Sequence, residues 1–487
     1  MKKEINRREF LQLTAAGSTL CLVCIGCQWP VVLSEKKSPR LISPGCRRSK
    51  VKVARIYLAN PTNPWSLWPK PNLDLEGEIR FYEGQFAKLK DELYDVEFVV
   101  DELITSPDQV SRLKGRLKNV DGILAIQLGM GIPPILQEIL RLGYPTMVFA
   151  VPYSGHGWTS FGALQQQKLG EKMECMLTSD YKQLAAAIRP FRAIHHLREA
   201  KILNLTESSF DEYANDIKNK FGTEIKKIEL QQVLDAYDAV SDSQAKAEAD
   251  RWVKKAVKVV EPSGEDIFKS CKLALAFEDL LNQEDATVMT VDCYGTMYQS
   301  LCQAYAYPCI GFTRLNNMGL GGICESDLQS AMTHIIFQGL VGKPGFISDP
   351  TVDESYNSII LAHCLGTTKM DGPDGPAAPY KLRTIMERQE GVVPQVKMRI
   401  GQKVTQAKLV GTDFLPYITG EIIDTPVSLK HDRGCRTKIT VKVDGDVEKL
   451  WRNWAHGLHR VTCYGNITKE LAHFCRFKAI KMVNEAV

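Results

Sequence analysis

An excess of one charge, a paired cysteine motif and a membrane-length apolar run downstream of the leader are all missing from this sequence, and each absence removes a class of function. Lys and Arg number 61 against 57 Asp and Glu, leaving a formal charge of +4 over 487 residues. That is too slight for the basic face that holds nucleic acid, so nucleic acid is not an expected partner. Cys21, Cys24 and Cys27 lie in the first 27 residues, which leaves eleven of the 14 cysteines scattered singly downstream, with no C-x-x-C among them. An odd, unclustered set reads neither as a disulfide framework nor as a zinc site. Those cysteines are expected to be small buried apolar residues. With 44% hydrophobic and 24% charged residues, the chain has the composition of a globular protein, and its length allows two to four domains.

The N-terminus reads as an address. Lys2, Lys3, Arg7 and Arg8 precede an apolar stretch from Leu13 to Ile25, and Asn6-Arg7-Arg8-Glu9-Phe10-Leu11 looks like a twin-arginine export signal. Residues 1–27 are therefore read as a signal peptide. Ile25-Gly26-Cys27 resembles a lipoprotein cleavage site, making Cys27 a candidate for lipid anchoring to a membrane. Export by this route, to the periplasm or a membrane-anchored position, carries proteins that have already folded. Residues 28–50, rich in Ser, Pro, Lys and Arg, read as a linker.

From Val51 the pattern alternates. A strand at 51–58 is followed by a helix at 76–93, strands at 96–100, 122–126 and 143–151, and a helix near 109–117. Strands separated by helices predict a doubly wound parallel sheet over 51–185. The cadence restarts at Ala200, with helices at 209–221 and 243–257 and strands at 224–230 and 286–291, predicting a second Rossmann-like α/β domain over 186–345. Short alternating strands at 396–400, 404–410, 417–423 and 438–443 then predict a β-rich, antiparallel, barrel-like domain over 346–487, closed by a helix at 468–477.

The chemistry concentrates between Met318 and His363. A glycine-rich turn with Gly319, Gly321 and Gly322 leads to Glu325 and Asp327 at the entrance of a helix. That helix is marked by Leu328, Ala331, Met332, Ile335, Ile336 and Leu340. Gly342 ends it, a short strand at 345–348 follows, and Asp349-Pro350 is read as that strand's end. A second apolar run, 359–362, carries His363. Two carboxylates and an imidazole at the ends of elements can converge on one point. The stretch 450–466 adds His456 and His459, of which one suffices as a further ligand. Each residue also has a plain structural reading: Glu325 as a helix N-terminal acid, Asp349 as a turn residue, and the histidines as hydrogen-bonded packing.

Several of these stretches together carry a resemblance. Pro308–Gly319, Cys324-Glu325-Ser326-Asp327, Gly342–Asp349, Ala362-His363-Cys364, and Asn453-Trp454 with His459 and Tyr464-Gly465-Asn466 resemble the L-fucose/L-arabinose isomerase superfamily. The resemblance covers about the last 200 residues by motif and extends upstream only by cadence. It implies a three-domain subunit, a trimer or hexamer, and a divalent cation, Mn²⁺ or Mg²⁺, held by Glu325, Asp349 and His459, with His363 as a fourth ligand. It also implies Glu325 and Asp349 as acid and base, Asn453 and Trp454 at the substrate, and an aldose–ketose isomerase of small sugars that works through an enediol. Asn466 stands where many relatives carry Asp, and one extra residue separates Asn453 from His459. An exported sugar-binding protein without isomerase activity, or a metal-dependent epimerase or lyase, is the alternative reading. Trp65 and Trp68 are further candidates for stacking on a sugar face.

Overall fold

The computed structural model describes residues 41–61, 72–426 and 433–487. The leader, Cys27, residues 28–40 of the expected linker, Trp65 and Trp68 lie outside these residues. From Leu41 to Val487 the chain forms one compact unit.

The first sheet is all parallel. Its strands β1 (Val51–Leu58), β2 (Val96–Ile104), β3 (Gly122–Gln127), β4 (Thr146–Ala150) and β5 (Met173–Leu177) take the order β2-β1-β3-β4-β5. Helices pack on both faces, which is why β1, β3 and β4 are almost continuously buried rather than alternating. The helix expected near 109–117 shrinks to one turn, Pro107–Val110, with a 3₁₀ turn behind it. A second parallel sheet, β10-β9-β6-β7, is built from β6 (Lys201–Leu205), β7 (Glu224–Ile228), β9 (Val288–Val291) and β10 (Gly321–Cys324). The two-residue strand β8 (Lys258–Val259) leaves this region to pair with β13 (Tyr380–Arg383), itself paired with β14 (Val393–Val396).

The remainder is a closed antiparallel barrel. Strands β11 (Phe346–Asp353), β12 (Ser358–His363), β15 (Lys403–Ala407), β16 (Phe414–Asp424), β17 (Thr437–Val443) and β18 (Arg460–Tyr464) run in the order β15-β18-β11-β12-β17-β16, and β16 returns to β15 to shut the ring. Closure removes the exposed edges an open sheet would carry. A seventh strand, β19 (Lys481–Asn484), lies parallel to β16 outside the ring. The fold is thus α/β with two Rossmann-like parallel sheets followed by an antiparallel barrel.

One helix ties these parts together. Helix Leu328–Val341 is buried nearly all round, including each of the six apolar positions that mark it in the sequence. It shares a core with Ile202 and Val288 of the second sheet and with Val461 and Leu409 of the barrel region. A Cβ on Gly339 would stand 2.5 Å from the Ala193 backbone, so only glycine lets it lie this close to helix Gln183–Glu199. Gly342, at φ +67°, ends the helix in the left-handed conformation.

Residues 41–50, the last part of the expected linker, pack against the body. Gly45 N–H donates to the Gly319 carbonyl, and Arg47 reaches Asn282. Ser49 N–H donates to the Glu199 carboxylate. His195, fully buried, sits between the Ser49 carbonyl at 2.9 Å and the Asp121 carboxylate at 3.0 Å. All eleven cysteines among the described residues are free, and nine are buried.

Candidate functional site

Glu325 stands at the carboxyl end of β10, where open parallel sheets place their ligands. The stretch Gly321–Gly322 is strand, not the expected turn, and its glycines answer to packing. A Cβ on Gly322 would meet the Phe312 backbone at 2.3 Å, and Asn316 clamps the Gly322 N–H and carbonyl at 2.8 and 3.1 Å. Glu325 and Ser326 then both take left-handed backbone angles, φ +59° and +53°. Two adjacent non-glycine residues in that region are strained, by about 1–3 kcal/mol each, and persist only where the surroundings hold them. Here the Val291 carbonyl accepts from Ser326 N–H and Asn204 Oδ1 accepts from its hydroxyl at 2.6 Å. After this strained turn Asp327, rather than Glu325, caps helix Leu328–Val341 by accepting from Ser330 N–H at 2.9 Å.

Barrel register supplies the other groups. Asp349 was expected at a strand end, but β11 continues through Pro350 to Asp353. What ends near Asp349 is its second partner. β18 pairs with β11 only through Ser348↔Arg460, so beyond it β11 has a free side that tolerates a proline. One step further in that register sets His459 opposite Asp349. Across the other neighbour, Asp349 pairs with Ala362, which puts His363 one residue away at the end of β12. The barrel therefore delivers Asp349, His363 and His459 to one place through three adjacent strands.

There the groups meet. His459 Nε2 lies 3.1 Å from Asp349 Oδ1 and 3.7 Å from Glu325 Oε2, and His363 Nε2 lies 3.7 Å from Glu325 Oε1. The two imidazole rings are 5.5 Å apart at their centroids. Donor atoms of Asp349, His363 and His459 all fall within 4.8 Å of one another. The 3.1 Å contact is not aligned as a hydrogen bond: Asp349 Oδ1, His459 Nε2 and His363 Nδ1 are all buried without a hydrogen-bond partner. Orphaned buried polar atoms are costly, and two of these, Asp349 Oδ1 and His459 Nε2, face each other at 3.1 Å, which calls for a common occupant. Ligands about 2.1 Å from an octahedral ion stand about 3.0 Å apart along its edges, so these separations and this donor set fit a divalent cation.

His459 is oriented from behind. Its Nδ1 lies 3.1 Å from Asp327 Oδ2, the carboxylate–histidine arrangement that points the opposite nitrogen at a metal. Lys408, itself buried, reaches the same Asp327 oxygen at 3.3 Å. Burial alone would lower the His459 pKa, but Asp327 and then Asp349 outweigh it and push it up to about 10. Burial alone would raise the carboxyl of Asp327, yet His459 and Lys408 hold it well below the usual carboxylate range. Asp349 is lowered in the same way, burial being overcome by His459 and His363. Without a cation, the charge of a protonated His459 is balanced by Asp327 and Asp349 on either side of its ring.

Four sequence candidates thus come together: Glu325, Asp349, His363 and His459. Asn453 and Trp454 are placed otherwise. Asn453 donates its amide to the Glu485 carbonyl at 2.8 Å and Trp454 its indole N–H to the Gly457 carbonyl, with Arg460 over the ring at 4.1 Å. Neither is hydrogen-bonded to the cluster among the described residues. Asp327 and Lys408 were not foreseen as site residues. Asp327 had a signal, an acid at a helix entrance with Ser330 three residues on, but that pattern speaks of capping alone. Lys408 sits among apolar neighbours after β15, and nothing in its spacing points to Asp327.

Fold and site together describe an α/β protein with a Rossmann-like frame, a closed barrel, and a cluster suited to a divalent cation between them. No family model matches the chain. It is similar to a protein named sulfoquinovose isomerase from Clostridium sp. (strain MSTE9), 23% identical over 279 residues, which cover 53% of this chain and 57% of that relative. The chain therefore spans a little over half the length of the curated relative it matches.

Proposed function

We propose that this protein is a metal-dependent aldose–ketose isomerase of a small sugar. The observation that carries this reading is the convergence of Glu325, Asp349, His363 and His459, with three of their buried donor atoms left without hydrogen bonds. The name of the similar relative agrees with the reaction class. Glu325, Asp349, His363 and His459 would hold Mn²⁺ or Mg²⁺, since carboxylate oxygens with imidazole suit these ions. When bound, the ion supplies a Lewis acid that polarises the sugar carbonyl.

The residues divide the remaining work. Asp349 Oδ1 lies 3.1 Å from His459 Nε2, whereas the nearest ion-pair contacts of Glu325 are 3.7 Å away. Glu325 is thus the freer base. One of its carboxylate oxygens takes the proton from the carbon beside the carbonyl and returns it to the neighbouring carbon. Asp349 passes a proton between the two sugar oxygens, so the double bond moves from one carbon to the next with no net gain or loss of atoms. Asn453 and Trp454, at the end of helix Val447–Asn453 a few residues ahead of His459, are the residues proposed to contact the sugar. Export, lipidation at Cys27 and assembly as a trimer or hexamer form part of the same proposal.

The substrate class is a reducing sugar that can open to an aldehyde or ketone. Nuclear magnetic resonance of the Mn²⁺-loaded protein with L-fucose, L-arabinose and sulfoquinovose tests this directly. Growth of ketose signals from at least one of them is expected. Three unchanged aldoses with fully loaded protein would sink the proposal.

A further inference from the structure

A second cluster, formed of thiols, lies one residue beyond His363. Cys364, 4% exposed, follows the end of β12, and Cys435 sits just before β17. Antiparallel pairing of His363 with Thr437 brings these two cysteines together, although they are 71 residues apart in the chain. Their sulfurs are 3.9 Å apart, too far for a bond. Glu387, from the connection between β13 and β14, completes the group: its Oε1 lies 3.4 Å from Cys435 Sγ and its Oε2 4.0 Å from Cys364 Sγ. The Tyr294 hydroxyl stands 3.8 Å from Cys364 Sγ and 3.5 Å from Glu387 Oε2.

We propose that Cys364, Cys435 and Glu387 form a second metal site, for a thiophilic divalent cation such as Zn²⁺, distinct from the sugar site. Sulfurs bound to one tetrahedral zinc at about 2.3 Å stand roughly 3.8 Å apart, and a zinc-bound sulfur and carboxylate oxygen roughly 3.6 Å apart. The two sulfurs, 3.9 Å apart, match one such edge, and each has its own Glu387 carboxylate oxygen nearby, at 3.4 and 4.0 Å, so that one carboxylate oxygen completes a three-residue donor set within 4.8 Å. A further close cysteine pair, Cys293 and Cys324, does not meet this test: its sulfurs are 3.3 Å apart, and among the described residues no carboxylate completes a donor group with both. Two thiolates select a softer ion than the oxygen and imidazole donors next door. Glu387 is exposed while Cys364 is buried, so the site opens to solvent on one side and leaves a fourth position beside Tyr294 for water. Both thiols must shed their protons to bind, so uptake releases protons to solvent. An occupant would fasten the β13–β14 connection to the barrel strand that ends in His363.

Cobalt distinguishes the two sites, because only thiolate ligands give an intense sulfur-to-cobalt charge-transfer band in the near ultraviolet. Reduced, metal-free full-length protein titrated with Co²⁺ is expected to develop this band to one equivalent and to lose it when Zn²⁺ is added. The band should survive His459→Ala, which damages the sugar site, and disappear in Cys435→Ser. Glu387→Gln, an exposed change that leaves the core alone, should keep the band but shift the visible cobalt absorption. A wild type with no charge-transfer band overturns the proposal. So does a band that persists in Cys435→Ser and vanishes in Cys293→Ser.

Discussion

Glu325→Gln is expected to lower kcat for the proposed sugar interconversion by roughly 10²–10⁴-fold, the range a positioned acid or base contributes to proton transfer. The substitution keeps the size and hydrogen-bonding reach of the side chain but removes its capacity to accept a proton. Asp349, His363 and His459 form a donor group without Glu325, and the Gln side-chain oxygen can still face a cation, so metal content measured beside kcat separates loss of the base from loss of the ion. The strained turn should also survive, because Ser326 and Asp327 keep their own partners, Asn204 and Ser330. Steady-state kinetics with metal content measured on the same sample check this. A Glu325→Gln protein that retains metal and turns over within a few-fold of wild type would show that Glu325 is not the base.

A second large effect falls on the cation. Asp327→Asn lowers Mn²⁺ affinity by about 10- to 100-fold, the usual cost of losing a carboxylate behind a metal-bound histidine. Asn caps helices as well as Asp does, so helix Leu328–Val341 keeps its start and the fold is spared. Affinity should also change its dependence on pH. His459 is pushed up to about 10, above the roughly 6.5 of a free imidazole. Its proton must leave before a cation binds, so wild-type affinity climbs about tenfold per pH unit as pH rises towards about 10 and then levels off. Because the folded value is raised, the same proton stabilises the metal-free fold fully below about 6.5, and that contribution is lost as pH rises through about 10. Removing Asp327 deletes the foremost of the interactions that raise His459, so in Asp327→Asn the climb levels off at lower pH. Chelator competition across this range measures both effects, and identical curves for the two proteins would remove Asp327 from the account.

The parts of the fold legible in the sequence are those where periodicity answers to burial. Helix Leu328–Val341 could be read because its apolar positions recur at helical spacing, and β1 because both its faces are covered. The barrel was legible as short alternating strands, and its closure, through β16 pairing with both β15 and β17, agrees with the barrel-like expectation. Errors arose where one residue type serves two purposes. Gly321 and Gly322 look like turn residues, yet close approach of Val288 and Phe312 is what requires them. Pro350 looks like a strand terminator, but it sits where β11 has a free side. At the site, residue type and position at element ends pointed to Glu325, Asp349, His363 and His459. The second coordination layer of Asp327 and Lys408 depends on a contact across 81 residues, which no local pattern carries. The pairing of Cys364 with Cys435 was hidden for the same reason, since spacing of 71 residues matches no metal motif.

The most direct test of the central claim is elemental analysis by plasma mass spectrometry of the purified protein beside its Glu325→Gln/His459→Ala double variant, both saturated with Mn²⁺ and then desalted. The account predicts close to one manganese per wild-type chain and almost none in the double variant. Equal manganese in the two proteins, or none in either, would contradict it.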